Sequence, residues 1–263
     1  MKYPFKINKI NEELVVTEKS EESLDKLLEV CDPKDIILCG GLVIYHHFQK
    51  NSLTVPFIVG QEDIDMKVMD LKTLRKILKG TQKDFYIFHY HDYSKRKGDY
   101  IHIDRFFGGL VDKKNDVKVD IFDIENFIPQ ELDEFKYKGK KILARSLEDQ
   151  IVTKMLETYR ILGMSCRENA LDPKQFAELY WLVSISNPLK IQKLWAEHPY
   201  HNTLKDTFPS DFPPTFEEAY TQALSWMYHH PEIVSKPKKK GTEKYKSSCV
   251  ECTKDLEFPL KNG

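Results

Sequence analysis

Three aspartates on strand-like segments constrain this chain more than any other feature. Asp63 and Asp65 alternate with apolar residues in one segment, and Asp120 stands between apolar residues in a later one. Aspartate is depleted from strands, and a buried carboxylate is costly unless it is paired or binds a metal. Because side chains alternate along a strand, Asp63 and Asp65 point to the same face. The pattern predicts a charged site on a sheet, with a divalent metal and a polyphosphate as its expected partners.

Hydrophobic patterns predict strands and helices through the first half of the chain. Ser20 is expected to cap a helix that ends at Asp32–Pro33. A buried strand over 35–39 then runs into Gly40–Gly41 and a short helix over 42–49, so the glycines stand at a strand-to-helix turn where a backbone can approach phosphate. The other predicted elements are strands over 63–68, 85–90, 100–107 and 117–122, a last strand or edge segment over 137–143, and a helix capped by Asp70 and closed by Gly80.

The pattern changes to helices after residue 145. Ser146, followed by Asp149, opens a helix with Lys154 on its flank, and Pro173 starts another. Further helices are predicted over 188–195 and from 215 to 228. We therefore expect an α/β (α+β) fold with three parts. These are a mixed sheet flanked by helices over residues 1–145, a helical domain over 146–235, and a lysine-rich tail over 236–263.

The composition is that of a globular protein with a strongly solvated surface. Of the 263 residues, 41% are hydrophobic and 31% are charged, and no stretch has the length and apolar character of a membrane span. The chain begins without a signal-peptide pattern and its five cysteines suggest reduced thiols, so a cytoplasmic location is expected. A net charge of −1 argues against a global attraction to nucleic acid. The basic run over 236–246 is then either a local RNA contact or an aid to solubility.

One arrangement joins these features. Gly40–Gly41 ends a strand, a short helix follows, and then come Asp63-Ile64-Asp65 and, on a later strand, Asp120. Over about residues 35–125 this resembles the nucleotidyltransferase superfamily of the DNA-polymerase-β-like fold. The helical region after it looks most like the AbiEii-type nucleotidyltransferases, which are toxins of type IV toxin–antitoxin systems. The resemblance implies that residues 1–145 form a nucleotidyltransferase-fold catalytic domain.

The resemblance also implies a reaction, the magnesium-dependent transfer of a nucleoside monophosphate from a nucleoside triphosphate to a hydroxyl group. Two Mg²⁺ ions about 4 Å apart would activate the attacking oxygen and hold the triphosphate. By resemblance, Asp63 and Asp65 bind both ions, while Asp120 binds the catalytic ion and could help remove the acceptor proton. Gly40 and Gly41 would approach the triphosphate through backbone N–H groups.

Two further points bear on the nucleotide and the acceptor. Lys154 stands where related proteins carry a helix lysine that contacts nucleotide phosphates, although a lysine on an amphipathic helix is also ordinary solvated surface. The acceptor is left open, because members of the superfamily modify transfer RNA, proteins and small molecules. Many relatives have a basic and a hydroxyl residue just before the acidic pair, whereas residues 59–62 here are Val-Gly-Gln-Glu. A binding or scaffold protein of the same fold without catalysis is therefore the alternative.

Other polar residues carry weaker signals. Asp172 fits an N-cap better than a catalytic position, because a proline follows it. His46 and His47 follow the glycines, where they could approach a substrate or simply lie on the helix surface. Cys249 and Cys252 could form half of a zinc site, but a second pair with ligand spacing is missing. The sequence does not indicate an oligomeric state.

Overall fold

A mixed sheet of eight strands forms the centre of the part of the chain that the structure describes. The structure is a computed structural model, and it describes residues 5–54, 63–92, 106–125, 127–164 and 173–198. The strands are β1 (Lys6–Glu13), β2 (Ile36–Cys39), β3 (Asp63–Val68), β4 (Phe85–Asp92), β5 (Phe106–Asp112), β6 (Lys118–Asp123), β7 (Glu131–Tyr137) and β8 (Lys140–Arg145). The helices are α1 (Glu18–Val30), α2 (Gly40–Lys50), α3 (Leu71–Gly80), α4 (Leu147–Met164), α5 (Pro173–Ser184) and α6 (Pro188–Glu197).

The strands lie in the order β1-β7-β8-β2-β3-β6-β5-β4. Three pairings are parallel, namely β1 with β7, β8 with β2 and β3 with β6, and the other four are antiparallel. The mixed sheet flanked by helices that the sequence predicts is thus confirmed. The division into a domain over 1–145, a helical domain over 146–235 and a tail stays a prediction, because the residues beyond 198 lie outside the described part.

Helices pack on the sheet through buried apolar side chains. Leu27 of α1 and Ile77 of α3 belong to a fully buried cluster with Ile121 of β6. A second cluster joins α2 to α4, α5 and α6, and includes Phe48 and Leu156. Burial of such side chains is the main favourable term in folding, so these clusters fix where the sheet and α2 lie.

Several predicted elements are confirmed at or near their expected ends. The strand over 63–68 has those bounds, and Asp70 caps α3 by accepting a hydrogen bond from the Thr73 N–H at 2.7 Å. The helix after the glycines begins at Gly40 itself and ends at Lys50. The strand expected over 85–90 extends to Asp92.

Other predictions are wrong in their details. Thr17, not Ser20, caps α1, and Ser20 lies buried inside the helix. The single segment expected over 137–143 is a hairpin, because Lys138 and Gly139 have positive φ angles of 48° and 77° and turn the chain between β7 and β8. The strand expected over 100–107 extends to Asp112, while its expected start over 100–105 lies outside the described residues. The first strand, Lys6–Glu13, has no counterpart among the predictions.

A buried aspartate ties the hairpin between β5 and β6 to α1. Asp112 is fully buried and accepts hydrogen bonds from Ser23 Oγ at 2.7 Å and Lys26 Nζ at 2.8 Å. The backbone N–H groups of Lys114 and Asn115 also donate to it. Because the carboxylate has a positive partner and several donors, its burial is compensated, and it fixes the turn that leads into β6.

Two histidines on α2 are buried, which corrects the expectation that they could lie on the helix surface. His46 accepts a hydrogen bond at Nδ1 from the Val15 N–H at 3.0 Å, and its ring meets the edge of Phe135 with 4.6 Å between ring centroids. Burial lowers the pKa of His46 to about 4 and that of His47 to about 3. Both imidazoles are therefore neutral in the folded protein at neutral pH.

Acid should destabilise the fold through these histidines. Below pH about 6.5 the unfolded chain binds protons at both imidazoles while the folded chain does not, so the free energy of unfolding falls as the pH drops towards about 4. His47→Gln removes one of these groups. We expect it to reduce the loss of stability between pH 6.5 and 5 by about 1–2 kcal/mol. Urea denaturation followed by circular dichroism at the two pH values measures this, and equal losses in both proteins would contradict it.

Candidate functional site

The pairing of β3 with β6 brings the predicted acidic residues together. The two strands are parallel, with Asp65 directly opposite Asp120 and Asp63 opposite Lys118. All three aspartates are partly exposed. The side chains on the opposite face are fully buried in the core, and they are Ile64, Met66, Val119 and Ile121. Because neighbouring residues in register point to the same face, Asp63, Asp65 and Asp120 share one face of the sheet.

The glycine turn lies against this acidic face. Gly40 is the first residue of α2 and has a φ of +65°, a left-handed conformation that favours glycine. A Cβ atom at this position would lie 1.9 Å from Asp65 Oδ2, so any other residue would displace the carboxylate. The Gly40 N–H donates to Gln150 Oε1 of α4 at 3.2 Å. Gly41 follows in the first turn of α2, whose positive dipole end favours a nearby carboxylate.

Lys118 is a member of the site that the sequence analysis missed. Its ammonium forms an ion pair with Asp120, and it lies 5.7 Å from the centre of the Phe88 ring. Burial lowers the pKa of Lys118, but the charges of Asp120, Asp63 and Asp65 outweigh burial and raise it above its usual range. The signal was available, because residues two apart on a strand share a face and Lys118 precedes Asp120 by two.

Aromatic side chains border the acidic face. Gly109 of β5 lies opposite Asp120, and a Cβ atom there would come within 2.5 Å of the Phe88 ring. Farther along the sheet, the rings of Phe107 and Phe122 lie 5.1 Å apart between centroids. Glycine at 109 therefore lets the Phe88 ring lie against the strand beside Asp120.

The three carboxylates have suitable donor atoms for a metal, but their side chains are not arranged around one. Carboxylate oxygens are the ligands that magnesium prefers, so the donor chemistry of Asp63, Asp65 and Asp120 fits this ion. As the side chains lie, however, no group of three or more His, Cys, Asp or Glu residues in the described part is arranged to hold a metal. A cation that does lie among the carboxylates is the Lys118 ammonium. Metal binding by all three would therefore require this ammonium to withdraw from Asp120.

Lys154, expected on the flank of its helix, is instead buried. Its Nζ lies 2.5 Å from Glu178 Oε2 of α5, and the two side chains are 9% and 5% exposed. This corrects the solvated-surface interpretation, since a buried lysine needs a partner. Lys154 lies one helical turn after Gln150, the residue that accepts from Gly40, so both project from the same side of α4. Its contact with nucleotide phosphates stays a prediction.

The remaining candidates lie outside the described residues. They are Asp172, Cys249 and Cys252 and the basic run over 236–246. Their predicted roles as a helix cap, half of a zinc site and an RNA contact stay predictions. Among the helices that the structure describes, none has the length and apolar character needed to cross a membrane.

Comparison with known proteins gives similarity in structure only. No protein-family model and no curated protein matches the chain. Solved structures similar to it include a proposed nucleotidyltransferase from H. pylori, with 13% identity and a TM-score of 0.38 over 83% of this chain and 96% of that one. JHP933 from Helicobacter pylori has 13% identity and a TM-score of 0.36 over 92% and 98% of the two chains. An antigenic nucleotidyltransferase-like protein from Paracoccidioides brasiliensis has 14% identity and a TM-score of 0.37 over 84% and 93%. Similarity at this level does not establish a family or an activity.

Replacing Gly40 should cost more than replacing another glycine of positive φ. Gly139 has a φ of +77° and no atom within 4 Å of a Cβ placed on it, so it is a matched control. Gly139→Ala should lower the free energy of unfolding by about 1–2 kcal/mol, the cost of a left-handed alanine. Gly40→Ala should lower the free energy of unfolding by about 1–3 kcal/mol more than Gly139→Ala, because its Cβ atom would also collide with Asp65. Urea denaturation measures both, and equal losses would show that Asp65 moves away without cost.

The buried pair of Lys154 and Glu178 can be tested by a double-mutant cycle. Lys154→Met leaves the Glu178 carboxylate buried without this partner, which should lower the free energy of unfolding by about 3–5 kcal/mol. The double variant Lys154→Met/Glu178→Leu should recover most of the loss, because it buries no charge there. Denaturant titration gives these values. A double variant no more stable than Lys154→Met would show that the unpaired charge of Glu178 is not the cause of the loss.

Proposed function

We propose that this chain is a nucleotidyltransferase, which moves a nucleoside monophosphate from a nucleoside triphosphate to a hydroxyl acceptor with the aid of two Mg²⁺ ions and releases pyrophosphate. The observation that supports this most is the register of β3 and β6, in which Asp65 lies opposite Asp120 with Asp63 on the same face. The start of α2 lies against Asp65. Carboxylates on rigid strands beside a helix N-terminus suit a reaction at a phosphate.

The chain's own residues have separate tasks in this reaction. Asp63, Asp65 and Asp120 would hold the magnesium ions once the Lys118 ammonium has left Asp120. When bound, the ions would lower the pKa of the attacking hydroxyl and neutralise charge on the triphosphate. The Asp120 carboxylate could also act as the base that accepts the proton of the acceptor hydroxyl. The pairing of β6 with β3 and β5 would hold this carboxylate in position.

The phosphate groups would lie at the glycine turn. Gly40 and Gly41 begin α2, where backbone N–H groups and the helix dipole favour an anion. Gln150 holds the Gly40 N–H and so fixes the direction of the first turn. Lys154, one turn farther along α4, would reach a phosphate only by leaving Glu178.

The acceptor and the subfamily are the finer parts of the proposal. The acceptor is an RNA end, a protein side chain or a small molecule with a hydroxyl group, and the lysine-rich tail over 236–246 would favour RNA through its charge. A role as an AbiEii-type toxin rests on the resemblance of the helical region alone.

The ion pair between Lys118 and Asp120 favours a second candidate. The Lys118 ammonium gives Asp120 a counter-charge without a metal. This suits a binding or scaffold protein that has the same fold but does not catalyse a reaction. The two candidates differ in ligand binding. An enzyme should bind ATP, CTP, GTP or UTP only when magnesium is present, and Asp65→Ala should abolish this binding. If the wild type shows no metal-dependent binding of a triphosphate, the scaffold is favoured.

Transfer of label from a nucleotide is the direct test. The protein is incubated with triphosphates labelled at the α-phosphate, with magnesium, and with total RNA, cell protein or small hydroxyl compounds as acceptors. We expect label on one acceptor class, and a loss on the order of a hundredfold or more in Asp120→Asn. Labelled product is measured by gel or chromatography.

A control variant in the same hairpin separates loss of chemistry from loss of fold. Asp116 lies in the turn before β6 with a φ of 57°, which asparagine tolerates well. Asp116→Asn should therefore keep full transfer. Equal transfer by the wild type and Asp120→Asn, or no transfer to any acceptor class, would contradict the proposal.

A further inference from the structure

We propose that the Lys118 ammonium is a tethered counter-cation, which holds the cation position among Asp63, Asp65 and Asp120 so that a divalent ion binds there only by displacing it. The inference rests on the proposed function in one respect, since it concerns the same carboxylates that would hold the metal. It adds a residue of this chain that sets how strongly and when the metal binds.

The register of the strands carries the inference. Lys118 lies opposite Asp63, and Asp120, two residues farther on, lies opposite Asp65. The three carboxylates and the one ammonium therefore lie around one small area of the sheet. Lys118 and Asp120 are only 17% and 13% exposed, so their attraction is screened by water far less than that of a surface pair.

The balance of charge explains why the ammonium and a metal compete. Three carboxylates bring a charge of −3, and Lys118 reduces it to −2. A divalent ion that entered with the ammonium still in place would meet a positive charge within the same few side chains. Withdrawal of Lys118 removes that repulsion and frees the oxygen atom that accepts from it.

Lys118 can withdraw without a change in the sheet. Its charge is at the end of a flexible four-carbon stem, whereas the backbone of β6 is held by β3 on one side and β5 on the other. The Phe88 ring, 5.7 Å from the ammonium, offers a second favourable contact for the positive charge. The metal site would thus form by movement of one side chain.

Another lysine–aspartate pair in the chain provides a matched control. Lys26 is 18% exposed and pairs with the fully buried Asp112 at 2.8 Å, so it resembles Lys118 in exposure and partner type. Asp112 is also held by Ser23 and by backbone N–H groups, which makes the pair part of the fold. Removal of Lys26 should therefore test the loss of a buried ion pair without touching the acidic face.

The experiment is a titration of each full-length protein with Mn²⁺ alone, by isothermal calorimetry and by the shift of Tm that the metal causes. We expect Lys118→Met to bind Mn²⁺ roughly tenfold tighter than the wild type or more, with a larger Tm shift. Lys26→Met and the charge-conserving Lys118→Arg should bind as weakly as the wild type. Adding Asp120→Asn to Lys118→Met should abolish the gain.

Other outcomes would overturn the inference. If Lys118→Met binds Mn²⁺ no tighter than the wild type, the ammonium does not hold the cation position. If Lys26→Met gains as much, the effect belongs to net charge and not to the site. Where Lys118→Met does not fold, as judged by circular dichroism, Lys118→Gln is titrated instead with the same expectation.

The result is independent of the transfer assay. Tighter metal binding by Lys118→Met together with no transfer to any acceptor would support the counter-cation and contradict the proposed enzyme. Transfer by the wild type together with unchanged metal affinity in Lys118→Met would do the reverse. The two proposals can therefore fail separately.

Discussion

The parallel pairing of β3 with β6 is the contact on which the acidic face depends. It sets Asp65 opposite Asp120 and keeps the apolar residues of both strands in the core. A slip of one residue would turn a strand's charged side chains into the core and its apolar side chains outward, at a cost that no surface interaction could offset. Hydrophobic burial on one face of the sheet therefore fixes the positions of the charges on the other.

Those charges are partly offset within the chain itself. The carboxylates lie beside Lys118 and against the beginning of α2, so their mutual repulsion is reduced by an ammonium and by a helix dipole. Such a face can exist in a folded protein before any ligand arrives. A site whose carboxylates had only a metal as counter-charge would not be stable without the metal, because the carboxylates would repel one another.

The placement of the three aspartates could be predicted from the sequence more fully than the strands around them. Aspartates that alternate with apolar residues, and glycines after a buried strand, are local signals, so β3, the helix after Gly40 and the strand that carries Asp120 could all be predicted from short windows. The edge strand β1 gives no such signal, because most of its residues are exposed and polar. Gly108 and Gly109 make β5 difficult to predict, because glycine is typical of turns. In the structure they leave room for the Leu74 and Phe88 side chains, which pack against the strand. The position of Lys118 opposite Asp63 depends on strand register, and the partner of Lys154 depends on helix packing. No local pattern contains either.

The buried Asp112 has a consequence for the order in which the molecule assembles. Its partners Ser23 and Lys26 lie 89 and 86 residues earlier in the chain, so the hairpin that carries Asp120 is bound to a helix that is distant from it in sequence. Contacts between residues so distant in sequence slow folding relative to local contacts, because the entropy of closing the loop is lost before the contact forms. The last acidic residue would thus reach its place late in folding, after α1 has formed a surface to receive the turn. Loss of α1 would then loosen a site to which α1 contributes no residue.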